Sequence, residues 1–288
     1  MPAPSRKRGC AYGDFESLVM TGSFISPWKM LAGIWRQRYL LGQLIKRDVL
    51  LRYRGAMFGV LWIFLSPLLM LGIFAFVFGD IFQARWTRPS EGPPFWLMLY
   101  CGLIVFNIFA DTVSRAPSCV RSYPSYVKKI IFPLEILPLV PLGAGLVHGT
   151  FNFLIFAMSL LCMGYATPGL LLFPLLVMPA LLLGMGLAWF LAAWGVFIKD
   201  MTQIVPLFVQ ILLFLSPVFY PASAVPAALR PLYALNPLGV VIEATRAATL
   251  NQTLPWAAWS IALVVGLLAA WAGYGFFQHA RDEFADVL

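Results

Sequence analysis

Three arginines at the end of the N-terminal polar region suggest binding chemistry. Arg47, Arg52 and Arg54 lie directly before the first long uncharged stretch of the chain. A guanidinium group donates paired hydrogen bonds to phosphate oxygens, and basic residues next to a membrane attract phosphate-bearing lipids. We therefore predict a phosphate-binding role for these residues, with an ordinary basic flank of a membrane helix as the alternative.

The apolar segments offer little that could perform catalysis. His148 is the only histidine among the 63 residues without Asp, Glu, Lys or Arg that run from Ile136 to Ile198. With no carboxylate or second histidine nearby in the sequence, it is predicted to be a hydrogen-bonded packing residue. The sequence holds no paired carboxylates, no Ser-His arrangement and no zinc motif. A G-x-x-x-x-G-K-[ST] motif is also absent, so the chain does not bind ATP through a P-loop.

Two pairs of charged residues have the spacing of ion pairs on a helix. Asp111 and Arg115 are four residues apart, and Glu243 and Arg246 are three residues apart. Side chains at these spacings lie next to each other on a helical surface. Both pairs are predicted to be structural.

The elements that hold these residues follow from the composition. The chain has 288 residues, of which 61% are hydrophobic and 11% are charged. Soluble domains carry about 25% charged residues and about 45–50% apolar ones. Too few charges remain to cover a water-soluble surface, so we predict an integral membrane protein.

Uncharged stretches define the membrane spans, because a crossing helix needs about 20 apolar residues. The long uncharged block divides at the turn signal Gly164-Tyr-Ala-Thr-Pro-Gly169. The sequence then predicts an all-α fold with six transmembrane helices. Their approximate bounds are 57–80, 94–114, 136–163, 170–198, 202–220 and 256–277.

Between the fifth and sixth spans the chain is apolar but interrupted. Prolines recur there at 221, 226, 231 and 237. Each proline inside a helix removes a backbone hydrogen bond, and backbone groups facing lipid must be satisfied. We predict short re-entrant helices on the external side, at about Ala224–Leu235 and Pro237–Leu250.

The basic residues indicate the orientation. If both termini share one side, that side carries 16 of the 20 Lys and Arg residues, and the other side carries 4. Positively charged loops mark the cytoplasmic side, so both termini are predicted to be cytoplasmic. The net charge of +8 then reflects topology, and we expect no nucleic-acid partner.

Residues 31–54 are predicted to form an amphipathic helix in the membrane interface, after a flexible cytoplasmic extension at 1–30. An apolar face includes Ile34, Leu41 and Leu51, and a basic face lies opposite. Asp48, Leu50 and Arg52 violate the pattern. The domain division is completed by a six-helix transmembrane region at 55–288.

The longest predicted cytoplasmic loop mixes basic and aromatic residues between Pro124 and Pro133. Two prolines so placed favour about two turns of helix between them. Such a helix is a contact site for a soluble partner, and a merely solvated loop is the alternative.

Three segments of the chain resemble one family of membrane proteins. They are Leu50-Leu-Arg-Tyr-Arg-Gly-Ala-Met-Phe-Gly-Val-Leu-Trp-Ile-Phe-Leu-Ser-Pro67, Lys128-Lys-Ile-Ile-Phe-Pro-Leu-Glu-Ile-Leu-Pro138 and Asn236-Pro-Leu-Gly-Val-Val-Ile-Glu-Ala-Thr-Arg246. Together with the ending Phe284-Ala-Asp-Val-Leu288, they resemble, in the same order, the ABC-2 type permeases that export O-antigen, capsule and teichoic acid. The resemblance covers about residues 36–288.

This resemblance implies a transmembrane subunit of an ATP-driven exporter in the bacterial cytoplasmic membrane, working as a homodimer with two copies of a P-loop ATPase subunit. The chain itself would carry no cofactor, and ATP and Mg would bind the partner. The substrate would be a glycan on a polyprenyl diphosphate lipid, whose diphosphate Arg47, Arg52 and Arg54 would attract. The ATPase would contact Arg121, Tyr126, Lys128, Lys129 and Ile130. An external gate would include Arg230, Tyr233, Asn236, Pro237, Glu243 and Arg246.

Other functions stay open at this point. An ABC-2 exporter of a drug, haem or a lipid would share the same architecture. An intramembrane transferase acting on lipid-linked sugars would need a catalytic constellation, which this sequence lacks. A passive channel would need filter motifs, which the sequence also lacks.

Overall fold

The computed structural model describes residues 27–82, 92–123, 132–220, 225–226, 233 and 235–284. Over these residues the secondary structure is helical, with no strand, which confirms the predicted all-α class. The first 26 residues of the predicted extension lie outside the described part. So does most of the helix predicted at Ala224–Leu235.

We number nine α-helices in the described ranges. They are α1 Pro27–Arg36, α2 Arg38–Arg52, α3 Trp62–Phe74, α4 Phe95–Cys119, α5 Leu139–Cys162, α6 Phe173–Phe197, α7 Met201–Leu215, α8 Pro237–Thr249 and α9 Trp256–Ala280. Short 3-10 helices at Gly59–Leu61, Leu134–Ile136, Pro168–Leu172 and Arg281–Glu283 extend several of them. A π-helix at Ala75–Ile81 continues α3.

Five of these helical segments are long and apolar enough to cross a membrane. They are Gly59–Ile81, Phe95–Cys119, Leu134–Cys162, Pro168–Phe197 and Trp256–Glu283, and each coincides with a predicted span. The remaining predicted span, 202–220, contains α7, whose 15 residues reach about 22 Å. The chain is an all-helical integral membrane protein, and its count of six crossings stays a prediction.

The N-terminal amphipathic segment differs from the single helix that the sequence predicted. It begins earlier, at Pro27, and it divides into α1 and α2 at Gln37. Leu44 and Val49 of α2 are buried against the bundle, while Trp35 and Tyr39 are 70% and 79% exposed. The segment therefore packs on the protein with one face and leaves large aromatic side chains at the surface.

Helix α4 is the central helix of the fold. In its most apolar stretch 78% of the residues are buried, whereas the corresponding share for Gly59–Ile81 is 17%. α4 contacts α5, α6, α7 and α8. Its side chains therefore form much of the main core, while α3 keeps a broad apolar surface.

Small residues bring the long helices α6 and α9 together. A Cβ atom on Gly273 of α9 would collide with the backbone carbonyl of Gly186 on α6. A Cβ atom on Gly195 would likewise collide with the carbonyl of Pro117 in α4. Close backbone approach through small residues is the usual means of helix association in membranes.

Candidate functional site

Three helices turn polar side chains toward one cleft in the bundle. On α4, Asn107, Asp111 and Ser114 are spaced by four and three residues, so they share a helical face. His148 and Asn152 have the same relation on α5. The cleft between these faces and α7 has a volume of about 450 Å³. Its lining is Arg52, Ile104, Phe106, Asn107, Ile108, Ala110, Asp111, Ser114, Gly145, His148, Gly149, Asn152, Pro206, Val209, Gln210 and Leu213.

An ion-pair network joins helix α2 to α4 beside this polar cleft. Nη2 of Arg52 donates to both carboxylate oxygens of Asp111, at 2.9 Å each. Arg115 donates to Asp48 at 2.6 Å and lies 3.5 Å from Asp111. The predicted pair of Asp111 and Arg115 is thus present, but as part of a larger cluster.

The spacing within both helices explains this network. Asp48 and Arg52 are four residues apart on α2, as are Asp111 and Arg115 on α4. The acid of each helix faces the base of the other, so Arg52 pairs with Asp111 and Asp48 pairs with Arg115. Two positive and two negative groups leave the network without net charge.

His148 lies between the network and the deeper part of the polar cleft. Its Nδ1 forms a hydrogen bond of 3.2 Å with the hydroxyl of Tyr53. Its Nε2 is buried and has no hydrogen-bond partner among the described residues. Burial raises the pKa of Tyr53, although the nearby charge of Arg52 opposes this effect. The sequence predicted a hydrogen-bonded packing role for His148 because no carboxylate lies near it along the chain. In the structure a carboxylate is close in space, since Asp111, 37 positions before His148, lines the same cleft.

A separate basic pocket lies on the outer face of α2. It has a volume of about 460 Å³ and lies between α2 and the turn that precedes α3. Among the described residues its lining is Gln43, Lys46, Arg47, Leu50, Leu51, Tyr53, Arg54, Gly59 and Val60, which gives three cations and no carboxylate.

The structure separates the three arginines that the sequence grouped together. Arg47 and Arg54 line the basic pocket with Lys46, a residue that the predicted site omitted. Arg52 lines the polar cleft and pairs with Asp111. Successive positions on a helix point in different directions, which is why residues so close in sequence reach different sites.

The basic pocket is connected to the predicted ATPase-contacting loop. The guanidinium carbon of Arg47 lies 5.3 Å from the ring centroid of Tyr123, a cation–π distance. Tyr123 and Arg121 follow the end of α4. Tyr126, Lys128, Lys129 and Ile130 lie outside the described residues.

At the opposite end of α4, Arg246 of α8 is a buried clamp. Its side chain is 2% exposed, and its guanidinium donates to the carbonyls of Met98 at 3.0 Å, Val218 at 2.6 Å and Pro217. It also lies 3.3 Å from Glu243, as the sequence predicted. Arg246 therefore ties α8 to α4 and to the segment after α7, and its predicted place in an external gate stays a prediction.

Other predicted gate residues organise the start of α8. The side chain of Asn236 accepts a hydrogen bond from the amide of Leu238 and donates one to Ser216 at 3.0 Å. Pro237 is the first residue of the helix, where the missing amide hydrogen has no cost. The hydroxyls of Tyr233 and Tyr220 are hydrogen bonded. Arg230 lies outside the described residues.

Polar groups lie along apolar helices of this protein, and cations lie at one end of them. This arrangement is typical of membrane transport proteins. Such groups are costly in a membrane and normally mark a pathway for a hydrophilic substrate. The sequence profile described as "ABC-2 type transporter" matches residues 39–250. The chain belongs to the ABC-2 type transporter family.

Several relatives carry a more specific name. The chain is 28% identical over 266 residues to the O-antigen export system permease protein RfbA of Myxococcus xanthus, covering 90% of this chain and 98% of that protein. Two proteins of the same name from Klebsiella pneumoniae are each 23% identical, and each match covers 86% of this chain and 95% of the relative.

Proposed function

We propose that the chain is the transmembrane subunit of an ATP-driven exporter that moves a polysaccharide, linked to a polyprenyl diphosphate lipid, across the bacterial cytoplasmic membrane. The observation that carries this proposal is similarity over 98% of the length of a protein named as an O-antigen export permease. The alternatives of drug or lipid export draw support only from the broader family.

The polar cleft supplies a hydrophilic route for the glycan. Asn107 and Asn152 lie near the middle of α4 and α5, where a helix of 24 or 25 residues is deepest in the membrane. The amide of Asn152 is hydrogen bonded to Tyr100 and to the carbonyl of His148, whereas Asn107 is exposed and needs water or another polar neighbour at that depth. A path lined by such groups suits a chain of sugar hydroxyls better than an apolar drug.

The basic pocket suits the diphosphate of the lipid carrier. Lys46, Arg47 and Arg54 present three positive charges next to the start of the span at Gly59–Ile81. A lipid headgroup carrying two phosphates would bind there while its polyprenyl tail lies along the exposed apolar surface of α3. In this proposal Arg52 acts beside the polar cleft through Asp111 and does not belong to the headgroup site.

The position of the polar cleft supports a homodimer. Asn107 and Gln210 are exposed on the surface of the single chain. Facing lipid, these amides would lose their hydrogen bonds with water, at a cost of about 2 kcal/mol or more each. We propose that a second copy covers this face and closes the conduit, with both termini of each copy in the cytoplasm.

In this proposal the motor is a separate ATPase chain. Two copies of a P-loop ATPase, carrying ATP and Mg, would dock on the loop that holds Arg121, Tyr126, Lys128, Lys129 and Ile130. The contact between Arg47 and Tyr123 would link headgroup binding to this loop. The segments around Tyr233 and Asn236 would form the outer end of the path, with Arg246 and its neighbour Glu243 as their support.

Reconstitution tests this function. The purified chain and its cognate ATPase, in liposomes, should move lipid-linked glycan to the far leaflet only when ATP is present, measured by accessibility of the glycan to an added glycosidase. A matched sample with a hydrolysis-deficient ATPase is the control. Sugar or acyl transfer without ATP or a partner would contradict the proposal, and so would ATP-dependent movement of drugs or lipids but not of glycans.

A further inference from the structure

The middle of the polar cleft carries hydrogen-bonding groups that the protein does not use. Asn107 on α4 and Gln210 on α7 both line the cleft, and neither forms a side-chain hydrogen bond among the described residues. The Nε2 atom of His148, on a third helix, is buried without such a partner. Asn107 and Gln210 are exposed on the single chain, and only Nε2 of His148 is buried. Hydrogen-bonding groups on three separate helices are therefore available to a ligand that enters the cleft, and a ligand that bonds Nε2 removes the cost of leaving a buried polar atom unsatisfied.

The charges around the cleft determine what kind of ligand fits. Arg52 and Asp111 are its charged lining residues, and they neutralise each other at 2.9 Å. Arg115 and Asp48 complete a network with no net charge. Because these charges are already paired, they offer little further attraction to an anion or a cation, whereas an amide can both donate to and accept from a hydroxyl group.

The size of the cleft and its apolar lining also fit a small uncharged ligand with hydroxyl groups. Its volume of about 450 Å³ lies within the range of about 300–1,000 Å³ that small-molecule sites occupy. Phe106, Pro206 and Leu213 contribute apolar surface beside the amides. A sugar ring has the matching combination, since it presents hydroxyl groups around its edge and C–H groups on its faces.

We infer that the polar cleft is a subsite for an uncharged sugar unit of the transported glycan, held by Asn107, Gln210 and Nε2 of His148. This inference rests on the proposed function and adds to it a selection for neutral over acidic sugars. The diphosphate binds elsewhere, at the basic pocket formed by Lys46, Arg47 and Arg54. The two sites therefore recognise different parts of one substrate.

Binding measurements on the complex with its ATPase, in nanodiscs, test this inference. Three probes are used, namely polyprenyl diphosphate carrying a neutral oligosaccharide, the same lipid carrying a uronic-acid oligosaccharide, and the lipid without sugar. Asn107→Leu and Gln210→Leu should each raise the Kd for the neutral probe about tenfold, which corresponds to the loss of one or two hydrogen bonds. The Kd for the lipid without sugar should stay within about twofold.

Matched variants keep the result interpretable. Gln203→Leu changes an exposed glutamine on α7 that does not line the cleft, and it should bind all three probes like the wild type. Gln210→Glu adds a charge with little change in shape, and it should weaken the acidic probe more than the neutral one. The folding of each variant is checked by size exclusion and thermal unfolding. Gln203→Leu and Gln210→Leu make the same change in the same helix, so each controls for the effect of the other on folding.

The outcomes separate the inference from the proposed function. If the wild type binds the neutral probe and the two leucine variants bind it equally well, the sugar subsite is wrong and the export function stands. The same conclusion follows if the variants lose the sugar-free lipid to the same extent. If the wild type binds none of the three lipids, the proposed function itself is contradicted.

Discussion

The guanidinium of Arg52 contacts both carboxylate oxygens of Asp111 at 2.9 Å, although the two residues are 59 positions apart. Arg52 is the last residue of α2, and Asp111 lies within the most buried of the candidate spans. The pair therefore ties the N-terminal helical segment to the central helix at the edge of the polar cleft.

A double-mutant cycle measures this coupling. Arg52→Gln and Asp111→Asn should each lower the thermal unfolding midpoint in detergent, because each leaves the partner charge unbalanced. The double variant should be more stable than the sum of the two losses predicts, with a coupling of about 1 kcal/mol, since both side chains are partly exposed to solvent. Purely additive losses would show that the pair does not stabilise the fold.

The charge network also shows what the sequence could predict. Periodicity correctly placed a helical segment before the first span, and three of its residues violated the amphipathic pattern. Two of those, Asp48 and Arg52, point into the protein and meet Arg115 and Asp111. Exceptions to the pattern therefore marked the network, but periodicity within one segment cannot identify partners on another.

The same limit explains why the sequence did not predict the buried clamp at Arg246. Its nearest sequence partner, Glu243, was predicted from their spacing of three residues. The carbonyls of Met98, Pro217 and Val218 come from distant segments, and any residue supplies a carbonyl, so no side-chain type signals the contact. The polar cleft was equally hidden, since single Asn and Gln residues in apolar helices gain meaning only when three helices face each other.

The basic pocket yields a prediction about electrostatics. Lys46→Gln and Arg54→Gln should each raise the Kd for sugar-free polyprenyl diphosphate about fivefold at low salt, because each removes a charge that pairs with phosphate. The effect should shrink as ionic strength rises, since the pocket is open to solvent. Binding is measured in nanodiscs at two salt concentrations.

Arg36→Gln is the control for this pocket. Arg36 is an exposed cation at the end of α1 and does not line the pocket. It should leave the Kd within about twofold of wild type if the three pocket cations bind specifically. An equal loss for all three variants would mean that only the general positive surface charge attracts the lipid.

The clamp yields a prediction about folding. Arg246→Lys keeps the charge but cannot reach three carbonyls in the planar geometry of a guanidinium group. We expect a loss of about 3 kcal/mol in stability, because buried carbonyls are left without donors. Gly102→Ala should act in the same direction, since its Cβ would lie 2.7 Å from Nη2 of Arg246.

Glu243→Gln serves as the comparison for the clamp, because Glu243 is partly exposed and contacts the guanidinium at 3.3 Å. It should cost less than about 1 kcal/mol. Thermal unfolding and chemical denaturation of the three variants check this ranking. If Glu243→Gln is as unstable as Arg246→Lys, the ion pair with Glu243, and not the hydrogen bonds to the carbonyls, is the main stabilising contact of Arg246.

Helix packing between α6 and α9 allows a closely matched pair of variants. Gly273→Val places side-chain atoms where the backbone carbonyl of Gly186 lies, so the two helices must move apart. A Cβ atom on Gly275, two residues further along α9, would meet no atom of the described residues within 4 Å, so Gly275→Val is the matched control. Both changes introduce the same residue into the same helix, so intrinsic helix propensity cancels in the comparison.

Gly273→Val should therefore lower the yield of monodisperse protein in size exclusion and the unfolding midpoint, while Gly275→Val stays close to wild type. Equal behaviour of the two variants would show that close approach at Gly186 does not hold these helices together, and their association would then depend on the larger side chains around Trp189 and Tyr274.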